Sequence, residues 1–192
     1  MVEERKLGPS LVRYYNPIES RGTYTPEYVL IPDDAKIGHG VVIHTGVVLM
    51  ERVEIGDGVI IRRGANIGSD ARIDSWVSIG ACVQIGNAVT IREGATINDC
   101  AVVERGTQIG FRAQIHRYAA IACNVKIGND AIIKGGAHIY PLVEIGENVT
   151  IGKQSSINAT IGDFSAIGAG IFIHYASIIP PHTILASCSP KP

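Results

Sequence analysis

The sequence predicts an all-β chain wound as a parallel β-helix, and three observations predict it. From Ile31 to Ser156 the chain divides into twenty-one consecutive hexads with no insertion. The first position of every hexad is Ile, Leu or Val, and the fifth is Ala or Val except at Thr107 and Ser155. The second position is Gly more often than any other residue. A repeat this short cannot bury its apolar side chains alone, so hexads must stack and share a continuous core. An α-helix is excluded, because its apolar residues would recur near every 3.6 positions.

Each slot of the hexad has a physical role. Positions five and one lie two apart on a short strand and point to the same side, the inside. Position six stands between them and faces out; it carries Lys36, Glu54, Arg72 and Gln84. Position two is read as the corner, with Gly supplying the dihedrals a sharp turn requires. One hexad is one side of a triangular prism, and three hexads make a coil of eighteen residues.

Residues 1–30 fall outside the repeat and form an N-terminal arm with Tyr14, Tyr15, Tyr24 and Tyr28. A β-helix ends in open strand edges, and the arm is expected to cover the first coil or to pack on a neighbouring subunit. Residues 31–192 form the β-helix, about nine coils in all. Its one irregularity is the four-residue unit Ile157-Asn158-Ala159-Thr160, read as a clipped side that is a local distortion or a ligand notch.

Composition narrows the function. A chain of 192 residues is one domain, and its net charge of −1 gives no field that would recruit nucleic acid or an anionic membrane. No apolar run reaches membrane-spanning length. The N-terminal residues MVEERKLGPS lack a signal-peptide core, so the expected compartment is the cytoplasm. The four cysteines, Cys82, Cys100, Cys123 and Cys188, show no CxxC spacing, which argues against a zinc ribbon. Cys82 and Cys100 share a column one coil apart and are expected to remain free thiols.

Stacking by eighteen turns sequence into columns. One column of corners has His44, Arg62, Gly80, Asn98, His116, Lys134 and Gly152 at position two, so Gly is displaced five times out of seven. Its third positions include Arg63, Asp99, Arg117 and Lys153. The neighbouring column is largely acidic, with His39, Asp57, Ser75, Glu93, Phe111, Asn129, Glu147 and Asp163 at position three. Facing basic and acidic columns suit contacts between copies of the chain. The basic column also suits a cleft between subunits lined by His116, Asn98, Asp99 and Arg117. Of the histidines, His116 is the best placed to line such a cleft, with Asp99 one coil below and Arg117 beside it.

The hexads resemble the hexapeptide-repeat acyltransferase superfamily, whose pattern is aliphatic, small, any, any, small, any. That resemblance implies a left-handed β-helix, a homotrimer, and acyl transfer from acetyl-CoA to a small-molecule acceptor, a sugar or an amine. It also implies a histidine base, here assigned to His116. Ile121-Ala122-Cys123-Asn124 is similar to the family's Ile-Ala-His-Asp, with Cys in the His slot. Pro180, Pro181, Ile184, Leu185, Pro190 and Lys191 follow the outline of the family's C-terminal acyl-CoA segment, which implies Lys153 and Lys191 as cofactor contacts. The stretch from Ile73 to Gly86 is similar to tetrahydrodipicolinate N-succinyltransferases and implies Asp74 as a substrate contact. Gly38-His39 through His44 looks like the Gly-His-x4-His stretch of γ-class carbonic anhydrases, which implies His39 and His44 as zinc ligands under that alternative alone. No metal is expected under the acyltransferase reading. A non-catalytic scaffold on the same prism is the other alternative.

Overall fold

The computed structural model describes residues 29–174 and 178–186, together with the backbone of 2–7 and 10–15. From β3 (Lys36–Ile37) to β28 (Ile184–Leu185) each strand is a position-six and position-one pair, with one further residue in β4 (Val42–His44). These strands stack into three parallel sheets, called A, B and C, holding nine, eight and nine strands of the coils. The prism therefore has between eight and nine coils, and no helix occurs among the described residues. Register is constant: Ile79 pairs with Ile61 below and Ile97 above, eighteen residues each way.

The interior is the predicted one. Ile43, Ile61, Ile79, Ile97, Ile115 and Ile133 form one column of side chains with no exposed surface. Fully burying an Ile contributes about 1.5–3 kcal/mol. The polar exceptions at position five are buried and satisfied. Thr107 Oγ1 donates to Ala122 O at 2.9 Å, and Ser155 Oγ donates to Gly168 O at 2.8 Å. Coil is joined to coil by the position-six N–H, which donates to the position-five carbonyl of the next coil, as from Lys36 to Val53 O at 2.9 Å.

The corners differ from the sequence reading in one respect. The left-handed residue is position four. Every position four from Gly40 to Gln154 has positive φ, including Trp76 at 62°, Cys100 at 57° and Tyr118 at 60°. Position-two glycines serve close approach instead. A Cβ on Gly128 would stand 2.5 Å from the carbonyl carbon of Gly146 and 2.7 Å from Glu147 N. A Gly at 116 therefore brings no conformational relief, since His116 is absent from the positive-φ residues.

At the N-terminal end, β1 (Val2–Leu7) and β2 (Ser10–Tyr15) form an antiparallel hairpin. β2 continues sheet A by pairing in parallel with β4, Tyr14 opposite Ile43. Leu30 bridges Val48 on sheet B. The remaining arm tyrosines, Tyr24 and Tyr28, lie outside the described residues. The clipped unit falls on the corner between sheets B and C, and it shortens that register to sixteen, Ile145 opposite Ile161. It leaves a shallow cavity of about 180 Å³ lined by Pro141, Leu142, Ala159 and Ile178.

The two uses of glycine predict different costs. Gly136→Ala, at a position four whose added Cβ would meet only the flexible Gln154 side chain at 3.4 Å, should cost about 1–2 kcal/mol for its left-handed backbone. Gly128→Ala must separate two coils and should cost about 3 kcal/mol or more. Chemical denaturation midpoints check the order; equal losses would contradict it.

Candidate functional site

The three corners of the prism carry different chemistry. The A–B corner, where sheet A passes to sheet B, holds His44, Arg62, Arg63, Asn98, Asp99, His116, Arg117, Lys134 and Lys153 on successive coils. Neighbouring coils are about 4.8 Å apart. The sequence-predicted His116, Asn98, Asp99 and Arg117 therefore share one corner across two adjacent coils, and Lys153 lies two coils beyond His116. Asp74 stands elsewhere, on the C–A corner, with Arg92 Nη1 3.5 Å from its carboxylate. Lys191 lies outside the described residues, as do Pro190 and Cys188.

Asp99 does not orient His116. Its Oδ1 accepts the Ala81 N–H at 2.9 Å, one coil below, so the carboxylate is turned away from the imidazole. This contact is one case of a general staple that the sequence reading missed. Asp57 accepts the N–H of His39, Asn87 that of Ser69, Asn129 that of Phe111, and Asp163 that of Glu147. A short acceptor at position three recurs in the sequence for this reason, and much of the acidic column is structural. Asn98 is also engaged, its Nδ2 donating to Ile115 O at 3.2 Å, beside His116. His116 itself is half-buried, and its ring makes no hydrogen bond or ion pair among the described residues.

The cations divide by location. Lys36, Arg52, Arg72, Arg92, Arg112 and Lys126 each pair with a carboxylate, and all lie on sheet C or its two corners. Arg52 lowers the pKa of Asp70, and Arg112 that of Asp130, by hydrogen bonding first, against a smaller opposing effect of desolvation and with the cation's charge adding to it. Arg62, Arg63, Arg117, Lys134 and Lys153, all on the A–B corner, form no ion pair among the described residues, nor does Arg105 on the B–C corner. Asp99 is the one carboxylate on the A–B corner. His44 feels this field: burial, and then the Arg62 charge, lowers its pKa from 6.5.

Cys82, Cys100 and Cys123 are free thiols. Cys123, in the slot where the resembling enzymes have His, is half-buried on the B–C corner, away from His116. His39 precedes β4 on the C–A corner and His44 ends it at the A–B corner, and no group of three or more His, Cys, Asp or Glu among the described residues is close enough to share a metal ion. No helix among the described residues is long and apolar enough to cross a membrane.

With corner, core and register defined, the chain falls into a known class. The family model for bacterial transferase hexapeptide repeats matches residues 34–68, 64–99 and 106–141, more than half of the chain, and the protein belongs to that family. No curated protein matches the sequence. Among solved structures it is similar to the UDP-N-acetylglucosamine acyltransferase of Campylobacter jejuni, with 26% identity, a TM-score of 0.77, and coverage of 81% of this chain and 68% of that one. The Arabidopsis UDP-N-acetylglucosamine acyltransferase matches with 20% identity and a TM-score of 0.77, over 83% of this chain and 64% of that one. The Francisella novicida enzyme matches with 21% identity and a TM-score of 0.57, over 83% of this chain and 65% of that one. The chain thus spans about two thirds of each of these proteins, and the fold is a left-handed β-helix.

The His44 environment is measurable. Because the folded protein disfavours its imidazolium, His44 contributes stability that is complete above the ordinary value of 6.5 and declines as pH falls below it. Proton NMR titration should give a His44 midpoint under 6.5. Arg62→Ala should raise that midpoint part of the way, since burial is the larger cause. A midpoint at or above the ordinary value would contradict this account.

Proposed function

We propose that this protein is an acyltransferase that moves an acyl group, acetyl, from acyl-CoA to a hydroxyl or amine of a small sugar, with His116 as general base. The carrying observation is the A–B corner. There two half-buried histidines, His44 and His116, and two cations without an ion pair, Arg62 and Lys134, stand at position two, where a structural hexad most often has Gly, and Arg63, Arg117 and Lys153 follow at position three. Membership of the transferase family supports the reaction class, and likeness to UDP-N-acetylglucosamine acyltransferases supports a sugar acceptor.

The chemistry is direct transfer. The acceptor N–H or O–H gives its proton to His116 as the nucleophile attacks the thioester carbonyl. The carbon–sulfur bond then breaks, and the proton passes to the departing thiolate. An imidazole suits both steps, because one ring nitrogen can take the acceptor proton and give it up again to the thiolate. Arg117, Lys134 and Lys153 offer charge-assisted hydrogen bonds to the phosphates of the donor. Asn98 holds the backbone beside His116. Asp99 acts through the corner rather than on the imidazole. Asp74 and Lys191 remain candidate acceptor and donor contacts.

The corner is convex in a single copy, so the site needs a wall from a second copy. A cytoplasmic homotrimer meets that need, with the basic A–B corner of one copy toward the acidic C–A corner of the next. Sedimentation at micromolar concentration should give three times 20.4 kDa; a monomer would remove the wall and the proposal with it.

The activity test is release of free thiol from acetyl-CoA with a panel of amino sugars and nucleotide sugars. His116→Ala should reduce turnover by about 10²–10⁴-fold and leave donor binding in place. Full activity in that variant would move the base elsewhere. The unbroken run of hexads supplies no loop to wall the corner, which favours a rigid scaffold as the second reading. A melting temperature raised by coenzyme A supports the enzyme; no shift supports the scaffold.

A further inference from the structure

Phe111 breaks the rule of its column. It stands at position three of the C–A corner, and from His39 to Asp163 every other residue in that position is polar. Asp57 and Ser75 use the position to hold an N–H one coil below, and a phenyl ring offers no such acceptor. The ring is 42% exposed. The Arg92 guanidinium lies 6.0 Å from its centroid and 3.5 Å from the carboxylate of Asp74. Phe111, Arg92 and Asp74 thus form one strip down the C–A corner, and Asp74 is already a candidate acceptor contact.

One copy cannot bring this ring to His116. The two residues stand on different corners, at either end of the sheet A strand Gln114–Ile115. In height, however, they nearly coincide. A coil climbs about 4.8 Å, so the five residues from 111 to 116 climb only about 1.3 Å. Rotation about a threefold axis parallel to the prism moves a second copy round without raising it. Its C–A corner then meets the A–B corner of the first with Phe111 level with His116. The same arithmetic sets Asp57 level with Arg63, and Glu147 level with Lys153, so opposite charges meet below and above the histidine. The Lys153 ammonium has three donors, enough for that carboxylate and a phosphate of acetyl-CoA. Glu93 comes level with Asp99, whose Oδ1 is taken up by the Ala81 N–H. Sheet A spans the two corners, and its position-six residues from Val42 to Ile184 are all uncharged, which lets copies approach. Beside His116 and Arg117 the partner presents a ring where a carboxylate would close the gap. The cations next to that ring, Arg92 and Arg112, are tied to Asp74 and Asp130 and so do not repel Arg117 strongly.

Resting on the acyl transfer and trimer proposed above, we propose that the partner subunit's Phe111 is the acceptor wall of the site. Its ring stacks on the pyranose ring whose hydroxyl or amine gives its proton to His116. A pyranose has an apolar C–H face, which packs on the face of an aromatic side chain. Its polar rim meets His116 and Arg117 on one side and Asp74 and Arg92 on the other. Phe111 takes no proton; it orients the acceptor and selects for a ring. The donor is held by other residues of the A–B corner, so the two substrates respond differently to this side chain.

The test uses an amino sugar or nucleotide sugar that wild type acetylates. Phe111→Ala should raise the acceptor KM about tenfold and leave the acetyl-CoA KM unchanged. Phe111→Tyr, which keeps the ring, should behave as wild type. Phe111→Leu, which keeps bulk without a ring, should resemble Phe111→Ala, and it carries the test if Phe111→Ala fails to assemble. Phe111→Ala and His116→Ala chains are then co-expressed with different tags, and trimers bearing both tags are isolated. Each mixed trimer has one site where an intact His116 faces an intact Phe111. At limiting acceptor these trimers should exceed the mean activity of their two parents several-fold. An unchanged acceptor KM in Phe111→Ala, or mixed trimers no more active than that mean, overturns the inference and leaves the acyl transfer standing. A wild type that is inactive or monomeric overturns both.

Discussion

The hydrogen bond from each position-six N–H to the position-five carbonyl of the next coil governs the whole molecule. It fixes a repeat distance of about 4.8 Å and repeats through all three sheets. At that distance the inside has room for aliphatic columns and the corners have room for little. A Cβ on a position-two glycine commonly meets the backbone of the coil above at under 3 Å. The third position can then reach the coil below, and short Asp, Asn and Ser side chains use that reach to bind its N–H. Side chains that depart from this economy are the ones that need a separate explanation. The A–B corner, where His and Arg replace Gly, is the largest departure.

The interior and the coil were legible because periodicity needs no three-dimensional input. Positions one and five identify the buried set from Ile37 to Ile173, and even Thr107 and Ser155 appear as exceptions before their hydroxyl partners are known. The corner was legible only in part. Gly at position two was taken for a dihedral requirement, whereas the left-handed residue is two positions later and is filled by Trp76, Cys100, Tyr118 and others. Frequency of Gly cannot separate a positive φ from a close approach, since both exclude a side chain.

The site shows the same limit. Columns placed His116, Asn98, Asp99 and Arg117 together, because stacking is arithmetic. They could not give the direction of the Asp99 carboxylate, which points down the corner to Ala81. The recurrence of Asp, Asn and Ser at position three was the available signal. Ion pairing was equally hidden: which of twelve described cations lack a partner depends on reach and rotamer, and the structure puts five of the six that lack one on the A–B corner, with Arg105 on the B–C corner.

The proposed acyl transfer rests on the cationic A–B corner. A crystal structure with acetyl-CoA bound tests the central assignment most directly. It should place the thioester between two copies of the chain, the carbonyl carbon within reach of the His116 ring, and the donor phosphates against Lys134 and Lys153. Donor bound instead along the B–C corner beside Cys123, or on the outer face of sheet C, would contradict it.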